Sequence, residues 1–416
     1  MSPVYVIGSY SSRFGRRPDD SVKQLAREAV MGALADAGLA DAGSVQAAWF
    51  GNCGMWVDGQ GSIRGQVCLT PMVREGLFPE RVPVINVEAG CATGSLALHG
   101  AWTSVLAGQN DIALGIGVER TWYPDDAQRV ARLFNGGIDQ YDPKEWNDYY
   151  AAAGAAMGRP FSPSPDRTIF MDTYAMQAAW HMKTYGTTLR QIASSAAKNH
   201  THAVHNERAQ YRFPMTLDQV LADRPVAPPL TRSMCAPIGD GAAAVLVASE
   251  RALARLPARV RERAVRVAAM GLSGGKYRDL AEEGLSAVAA RRAYADAQLA
   301  PERIDVAEVH DATSFCEIYQ VEMLGFCPRG GGGAFVESGA TTLGGRLPVN
   351  TSGGLVSKGH PVGATGLSMI AELVEQLRGE SGQRQVRGAR HALAENGGGV
   401  IGFDEAACVV TILARE

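Results

Sequence analysis

The feature that most constrains this chain is that its second half repeats its first. Ala35-Asp36-Ala37-Gly38-Leu39-Ala40 returns 260 residues later as Ala295-Asp296-Ala297-Gln298-Leu299-Ala300. A short connection and a strand pattern follow each copy, VQAAWFGNC in the first and IDVAEVHDA in the second. The strand ending at Asn86, with its small-residue turn, returns as Leu347-Pro348-Val349-Asn350 and a glycine-rich turn. GDGAAAVLVAS (239–249) resembles FDEAACVVTIL (403–413). One such pair would be chance; several in the same order mark an internal duplication of a β–α unit. Two like α/β halves, each a sheet covered by helices, predict a layered architecture.

The local patterns fit that plan. Residues 3–8 read as a first strand, and Ser21 to Gly38 as a helix with a serine cap and a glycine stop. Strands are predicted over 45–50, 81–86 and 111–118, with a helix from the Cys91 turn to about Leu106. A segment of roughly 120–234, rich in Tyr, Trp, Met, Pro and Asp, carries little strand pattern and reads as an inserted lid or binding domain. The predicted organisation is therefore an N-terminal half of 1–119 with 235–260, an insertion of 120–234, and a C-terminal half of 261–416.

Composition narrows the function. A net charge of −3 without a Lys/Arg run argues against nucleic acid as a main partner. The seven cysteines have no compact framework and no Cys-x-x-Cys pair, so neither a disulfide scaffold nor a structural zinc site is expected, and no metal centre is. The N-terminus lacks a secretory pattern, and no apolar run reaches membrane-spanning length. A cytoplasmic protein with reduced thiols is the expectation.

The chemistry concentrates in three stretches. In VINVEAGCATGSLA (84–97) a strand, a tight turn and a helix start place Cys91 near a helix N-terminus, where the dipole favours thiolate. The alternative is a small buried core cysteine. In NTSGGLVSKGHPVGATG (350–366) His360 stands between glycines on a turn before a helix, comparable through the repeat to the Cys91 turn. Like strand ends meet near the interface of the halves, and a Cys–His pair there is an activated nucleophile. In EVHDATSFCEIYQVEMLG (308–325) a strand ends at His310-Asp311 and a helix follows.

NVEAGCATGS, SGGLVSKGHPVGATG, PIGDGAAAVLVAS and HDATSFCEIYQVEMLG together resemble the thiolase superfamily, most of all its sterol-carrier-type members. The resemblance covers essentially the whole chain. It implies a five-layered α-β-α-β-α fold, a homodimer, and coenzyme A thioesters as substrates with no permanently bound cofactor. It implies that Cys91 forms the acyl-enzyme, that His360 activates it and helps bind the thioester oxygen, and that His310 helps bind an oxyanion. It further implies a backbone oxyanion hole from Cys91 and the 397–399 glycine run, with Gly397 and Gly398 as donors.

The sequence departs from the family at one place. Ala312 stands where the motif has a cysteine that acts as the second acid/base, and ALAENGGGVIG offers no thiol either. Cys316, one helical turn on, and Glu395 are the candidate replacements. The expected reaction is thiolytic cleavage of a 3-oxoacyl-CoA or the reverse condensation. The aromatic-rich insertion (Trp122, Tyr123, Phe134, Tyr141, Trp146, Tyr149, Tyr150) suggests a bulky, branched or aromatic acyl group. The alternatives are an aldolase-like or lyase subunit working with a small OB-fold/zinc-ribbon partner, and a non-catalytic scaffold. Three further signals are read as minor. His200, His202 and His205 are expected to be solvated or in a substrate loop, Gly330–Gly333 to be a flexible loop beside the site, and Asn350-Thr351-Ser352 to be an incidental glycosylation pattern.

Overall fold

The structure, a computed structural model, describes residues 2–415. Its strands are β1 (Val4–Ser11), β2 (Ala47–Gly51), β3 (Val84–Val87), β4 (Ile112–Glu119), β5 (Pro225–Ala227), β6 (Leu230–Thr231), β7 (Gly241–Ser249), β8 (Val265–Gly274), β9 (Val306–Val309), β10 (His391–Gly398) and β11 (Ala407–Ala414). Helices of the first half are α1 (Val22–Asp36), α2 (Arg64–Arg74) and α3 (Thr93–Leu106). The 120–234 segment supplies α4 (Ala127–Asn135), α5 (Pro143–Met157), α6 (Ile169–Tyr185), α7 (Leu189–Ala203) and α8 (Leu217–Ala222). Short α9 (Glu250–Leu253) and α10 (Ala258–Arg263) lead to α11 (Leu285–Ala297), α12 (Ser314–Met323), α13 (Gly332–Glu337), α14 (Gly354–Lys358) and α15 (Thr365–Arg378).

Strand pairing shows the duplication directly. The order is β3-β2-β4-β7-β1-β8-β11-β10-β9. In the first half β2 lies parallel between β3 and β4, and β7 runs antiparallel to β4 and β1. In the second, β9 lies parallel to β10, β11 runs antiparallel to β10 and β8, and a parallel bridge from Ala307 to Val349 stands where β3 pairs in the first. A short antiparallel pairing of Val4–Val6 with Val265–Val267 joins the two. The halves form one hydrogen-bonded sheet rather than two separate ones, folded so that α3 and α15 lie between them.

Side-chain alternation sets the layers, because successive strand residues face opposite sides. On β7, Ala243, Val245 and Val247 join the central core with α3, α15 and residues of β8 to β11; Ala244, Leu246 and Ala248 pack under α1 and α2. On β11, Val409 and Leu413 face the central core, while Cys408, Val410 and Ile412 face α11. The layers are thus α, β, α, β, α. The repeat extends to helix ends: Gly38 (φ 67°) after α1 corresponds to Gln298 (φ 54°) after α11, so a left-handed stop is kept even where the residue is not glycine. Ser21 closes a capping box with Gln24 at the start of α1.

The 120–234 segment is almost wholly helical, and its only strands are the β5–β6 pair. It rests on the second half, with Ile192, Ala193 and Ala196 of α7 packed against Phe315 and Ile318. This corrects the reading of the histidine run. Only His205 is exposed; His200 and His202 are buried in α7. His202 Nδ1 lies 3.0 Å from the Asn350 carbonyl, and its Nε2 accepts the Leu343 N–H at 3.1 Å. Burial holds its pKa down to about 3, so it is a neutral brace between segments. The glycine run 330–333 is likewise no loose loop: Gly332 begins α13 and donates its N–H to Glu322.

Candidate active site

Cys91 sits two residues before α3, on a turn closed by Ala92 N–H to Ala89 O (3.0 Å) and Thr93 N–H to Gly90 O (3.1 Å). Gly90 takes φ 53°, and the glycine run packs directly on this turn. A Cβ on Gly398 would lie only 2.5 Å from the Cys91 nitrogen, so the two backbones meet because neither has a side chain between them. Across the pseudo-dyad, α15 starts beside α3: a Cβ on Gly94 would stand 3.0 Å from both Gly363 O and Leu367 N. Two helix starts pressed together bring their preceding turns together.

That contact places His360 Nε2 3.1 Å from Cys91 Sγ. His360 Nδ1 lies 2.7 Å from Thr365 Oγ1, and the Thr365 hydroxyl donates to the Pro361 carbonyl at 3.1 Å. With its proton committed to Pro361, Thr365 must accept from Nδ1–H. The tautomer follows: Nε2 carries the free lone pair and accepts the Cys91 S–H. Burial holds the His360 pKa well below its ordinary value, with His310 and Lys358 adding to the effect. Burial likewise pushes the Cys91 thiol up to about 12, against its own N–H and that of Gly399, with Glu119 and Glu405 raising it further. The dipole expectation for Cys91 is therefore corrected. A helix terminus is worth about 0.3–1 kcal/mol, and desolvation outweighs it. The resting pair is thiol and neutral imidazole, an arrangement in which a thiol is made nucleophilic by passing its proton to the imidazole.

His310 follows β9, and its ring lies 5.2 Å from that of His360. Its Nε2 is buried without a partner, and burial lowers its pKa to about 4, so it is neutral. One ring nitrogen of each histidine and Cys91 Sγ lie within 4.8 Å of one another. Cys91's own N–H and that of Gly399 both favour a charged Cys91 sulfur, while the Gly397 N–H favours a charged Glu395 carboxyl.

Residues 4–220 match the family described as Thiolase, N-terminal domain, and residues 268–414 match Thiolase C-terminal domain-like. The chain belongs to the thiolase family. It is 37% identical to acetyl-CoA acetyltransferase of Methanothermobacter thermautotrophicus, over 97% of this chain and 98% of that one. It is 34% identical to sterol carrier protein 2 of Rattus norvegicus (97% of this chain, 73% of the relative). It is 31% identical to benzoylsuccinyl-CoA thiolase subunit BbsB of Thauera aromatica (92% and 91%). Among solved structures, the Ltp2-ChsH2(DUF35) aldolase superposes with a TM-score of 0.76 at 23% identity, covering 99% of this chain and 97% of that one, which shows the fold.

Against the thiolase plan, the position of Ala312 is buried and carries no proton-transferring group. Cys316 is buried in α12, 3.3 Å from Thr313 Oγ1, and burial drives its thiol strongly up. Glu395 has both oxygens engaged, Oε2 by His310 N–H (3.1 Å) and Oε1 by the Cys408 thiol (3.4 Å). Burial, helped by Glu405, pushes it to about 8. It lies beneath His310.

Three further groups shape this thiolase site and were not singled out from sequence. Thr365 sets the tautomer of His360. Glu119, buried at the end of β4, accepts from Asn52 Nδ2 and the N–H groups of Cys53 and Gly54 (2.9 Å each) and of Gly363 (3.1 Å). It thereby ties the His360 turn to the first half, and burial raises it to about 7 despite these donors. An acid closing an otherwise apolar strand, DIALGIGVE, was the legible signal for it. The third is Glu405, whose carboxyl lies beside Gly397.

Proposed function

We propose that this chain, a thiolase-type acyltransferase acting on CoA thioesters, cleaves a 3-oxoacyl-CoA, or condenses in reverse, through an acyl-enzyme on Cys91. The observation that carries this reading is the 3.1 Å contact of Cys91 Sγ with His360 Nε2 in the tautomer Thr365 enforces. His360 takes the thiol proton as sulfur attacks the 3-oxo carbon. The developing oxyanion meets the N–H groups of Cys91 and Gly399, each donor typically worth about 3 kcal/mol. His310, neutral and with a free ring nitrogen, donates to the thioester oxygen of the leaving enolate. The intact Cys–His pair weighs against an aldolase-like or scaffold role.

A bulky or aryl acyl group is supported by the benzoylsuccinyl-CoA relative and by an aromatic wall in which Tyr149 and Tyr150 pack on Phe403, 5.2 and 5.4 Å between rings. Lipid or aromatic degradation is the setting this suggests. A homodimer is supported by β3, an edge strand that leaves Ile85 exposed. A small OB-fold/zinc-ribbon partner is supported by the named DUF35 component of the aldolase neighbour. A cytoplasmic location is supported by seven free cysteines. No helix among the described residues is long and apolar enough to cross a membrane.

The test is incubation with a panel of 3-oxoacyl-CoAs plus CoA, with and without candidate partner proteins, followed by mass spectrometry. An acyl adduct on Cys91 and loss of turnover in Cys91→Ala are expected. A fully active Cys91→Ala enzyme would sink the mechanism.

A further inference from the structure

Ala312 leaves this thiolase without the proton-transferring thiol of its family, yet one side chain beside the glycine run has no structural occupation. Glu405 lies on the link between β10 and β11, and that link is held from every side. Val400 N–H bonds Gly137 O (2.9 Å), the Tyr150 hydroxyl bonds Gly402 O (2.5 Å), and Gly275 N–H bonds Ala406 O (3.2 Å). Buried Arg278 donates to Asp404 Oδ1 (2.7 Å) and to Phe403 O (3.0 Å), while Leu285 N–H also reaches Asp404 (3.1 Å). Within this fixed frame the Glu405 carboxyl receives only its own backbone N–H; among the described residues no side chain hydrogen-bonds it. Like Cys91, it is neither sealed in the core nor on the open surface.

Two geometric facts aim it at the reaction. A Cβ on Gly397 would come within 2.6 Å of Glu405 Cγ and 3.1 Å of its Oε1, so the carboxyl lies on the face of that glycine. Two residues on, the Gly399 nitrogen stands against the Cys91 turn, 2.4 Å from where a Cβ on Gly90 would lie. At about 3.3 Å per extended residue, carboxyl and sulfur are served by points about 7 Å apart. A carbonyl carbon attacked from about 3.3 Å, its bonded neighbour, and an acid about 3 Å beyond that neighbour span the same gap. The repeat adds a third observation. Asp240 and Asp404 hold equivalent places, Asp240 accepting from Thr121 and Trp122 N–H (2.8 Å each) as Asp404 accepts from Leu285. The next residue is Gly241 in the first half and Glu405 in the second. The carboxylate is thus an addition to one half alone, and that half holds the glycine run.

We propose that Glu405 is the second acid/base of this thiolase, taking the part that the family gives to a cysteine. The inference rests on the Cys91 acyl-enzyme reading. In cleavage, Cys91 sulfur bonds the 3-oxo carbon as its proton passes to His360. The C2–C3 bond breaks, its electron pair stays on C2, and Glu405-COOH protonates C2 to release acetyl-CoA. The Glu405 carboxylate then takes the thiol proton of incoming CoA, whose sulfur attacks the acyl carbon. The Cys91–acyl bond breaks, and the protonated His360 returns its proton to Cys91. Every group ends as it began. Burial, with Asp404 adding and Arg278 and the backbone N–H opposing, sets Glu405 at about 7, which suits a group that must both give and take a proton.

The experiment uses the full enzyme and follows exchange of the C2 protons of acetyl-CoA in D2O, 3-oxoacyl-CoA cleavage, and iodoacetamide alkylation of Cys91. Glu405→Gln should lose exchange and cleavage by about 100-fold or more, with alkylation of Cys91 nearly unchanged. Formate should restore part of the exchange to Glu405→Ala, a rescue that a merely structural role would not give. Exchange within threefold of wild type in Glu405→Gln overturns the proposal, as does loss of exchange in Cys316→Ser with Glu405→Gln active. If wild type exchanges protons but forms no Cys91 adduct, the acyl-enzyme reading fails instead, and this scheme with it.

Discussion

Replacing Thr365 with valine keeps the volume of the side chain but removes the hydroxyl that accepts His360 Nδ1–H at 2.7 Å and donates to Pro361 O at 3.1 Å. Two outcomes are open to His360, and both cost reactivity. If it keeps its tautomer, a buried Nδ1–H is left unpaired, at about 1–3 kcal/mol. If it moves its proton to Nε2, the nitrogen 3.1 Å from Cys91 Sγ loses the lone pair that accepts the thiol proton. Taking about 2 kcal/mol as the central cost, Cys91 should react about 30-fold more slowly in Thr365→Val. The assay is the second-order rate of iodoacetamide alkylation at neutral pH, with acylation by a 3-oxoacyl-CoA followed by mass spectrometry as the matched measurement. Thr365→Ser keeps the hydroxyl and should recover most of the rate. A Thr365→Val enzyme within threefold of wild type, or a serine variant no better than valine, would refute the tautomer argument.

Glu119→Ala should destabilise the protein by about 3–5 kcal/mol in urea denaturation, because four buried donors lose their acceptor; Glu119→Gln, which retains one carbonyl oxygen, should lose less. Acid should weaken the fold through His202. Its folded pKa is depressed to about 3, so its contribution is complete above the unfolded value near 6.5 and is lost as pH falls from there toward 3. Between pH 6.5 and pH 5 that amounts to about 2 kcal/mol, and His202→Gln should show a correspondingly shallower loss of stability by denaturant titration.

Much of the molecule was legible because duplication doubles every local signal. The capped α1, the strand before Cys91, and the turn carrying His360 all follow from spacing, glycine placement and alternation. The matching of GDGAAAVLVAS with FDEAACVVTIL survives in three dimensions as β7 and β11, down to which residues face the central layer. Where the reading failed, the cause was tertiary cover. His200 and His202 look polar and misplaced on a helix, but α7 packs against α8, α12, α13 and α14 and has little free face for them. The aromatic residues of the insertion divide in the same way: Tyr150 is buried in a ring cluster, while Tyr141 is wholly exposed, and nothing in their spacing distinguishes them.

What the sequence determined by itself is the plan: two α/β halves in register, a cysteine turn and a histidine turn at equivalent ends, and a missing thiol at Ala312. Those are properties of residue order, which periodicity and repetition expose. Only the tertiary structure decided the protonation states. Desolvation depends on everything packed around a group, so a thiol expected to be ionised by a helix dipole is instead held as a thiol beside a neutral imidazole. The same burial holds Glu405 near neutrality without a side-chain partner, beside the glycine run that packs on the Cys91 turn, a placement that no spacing along the chain could have disclosed.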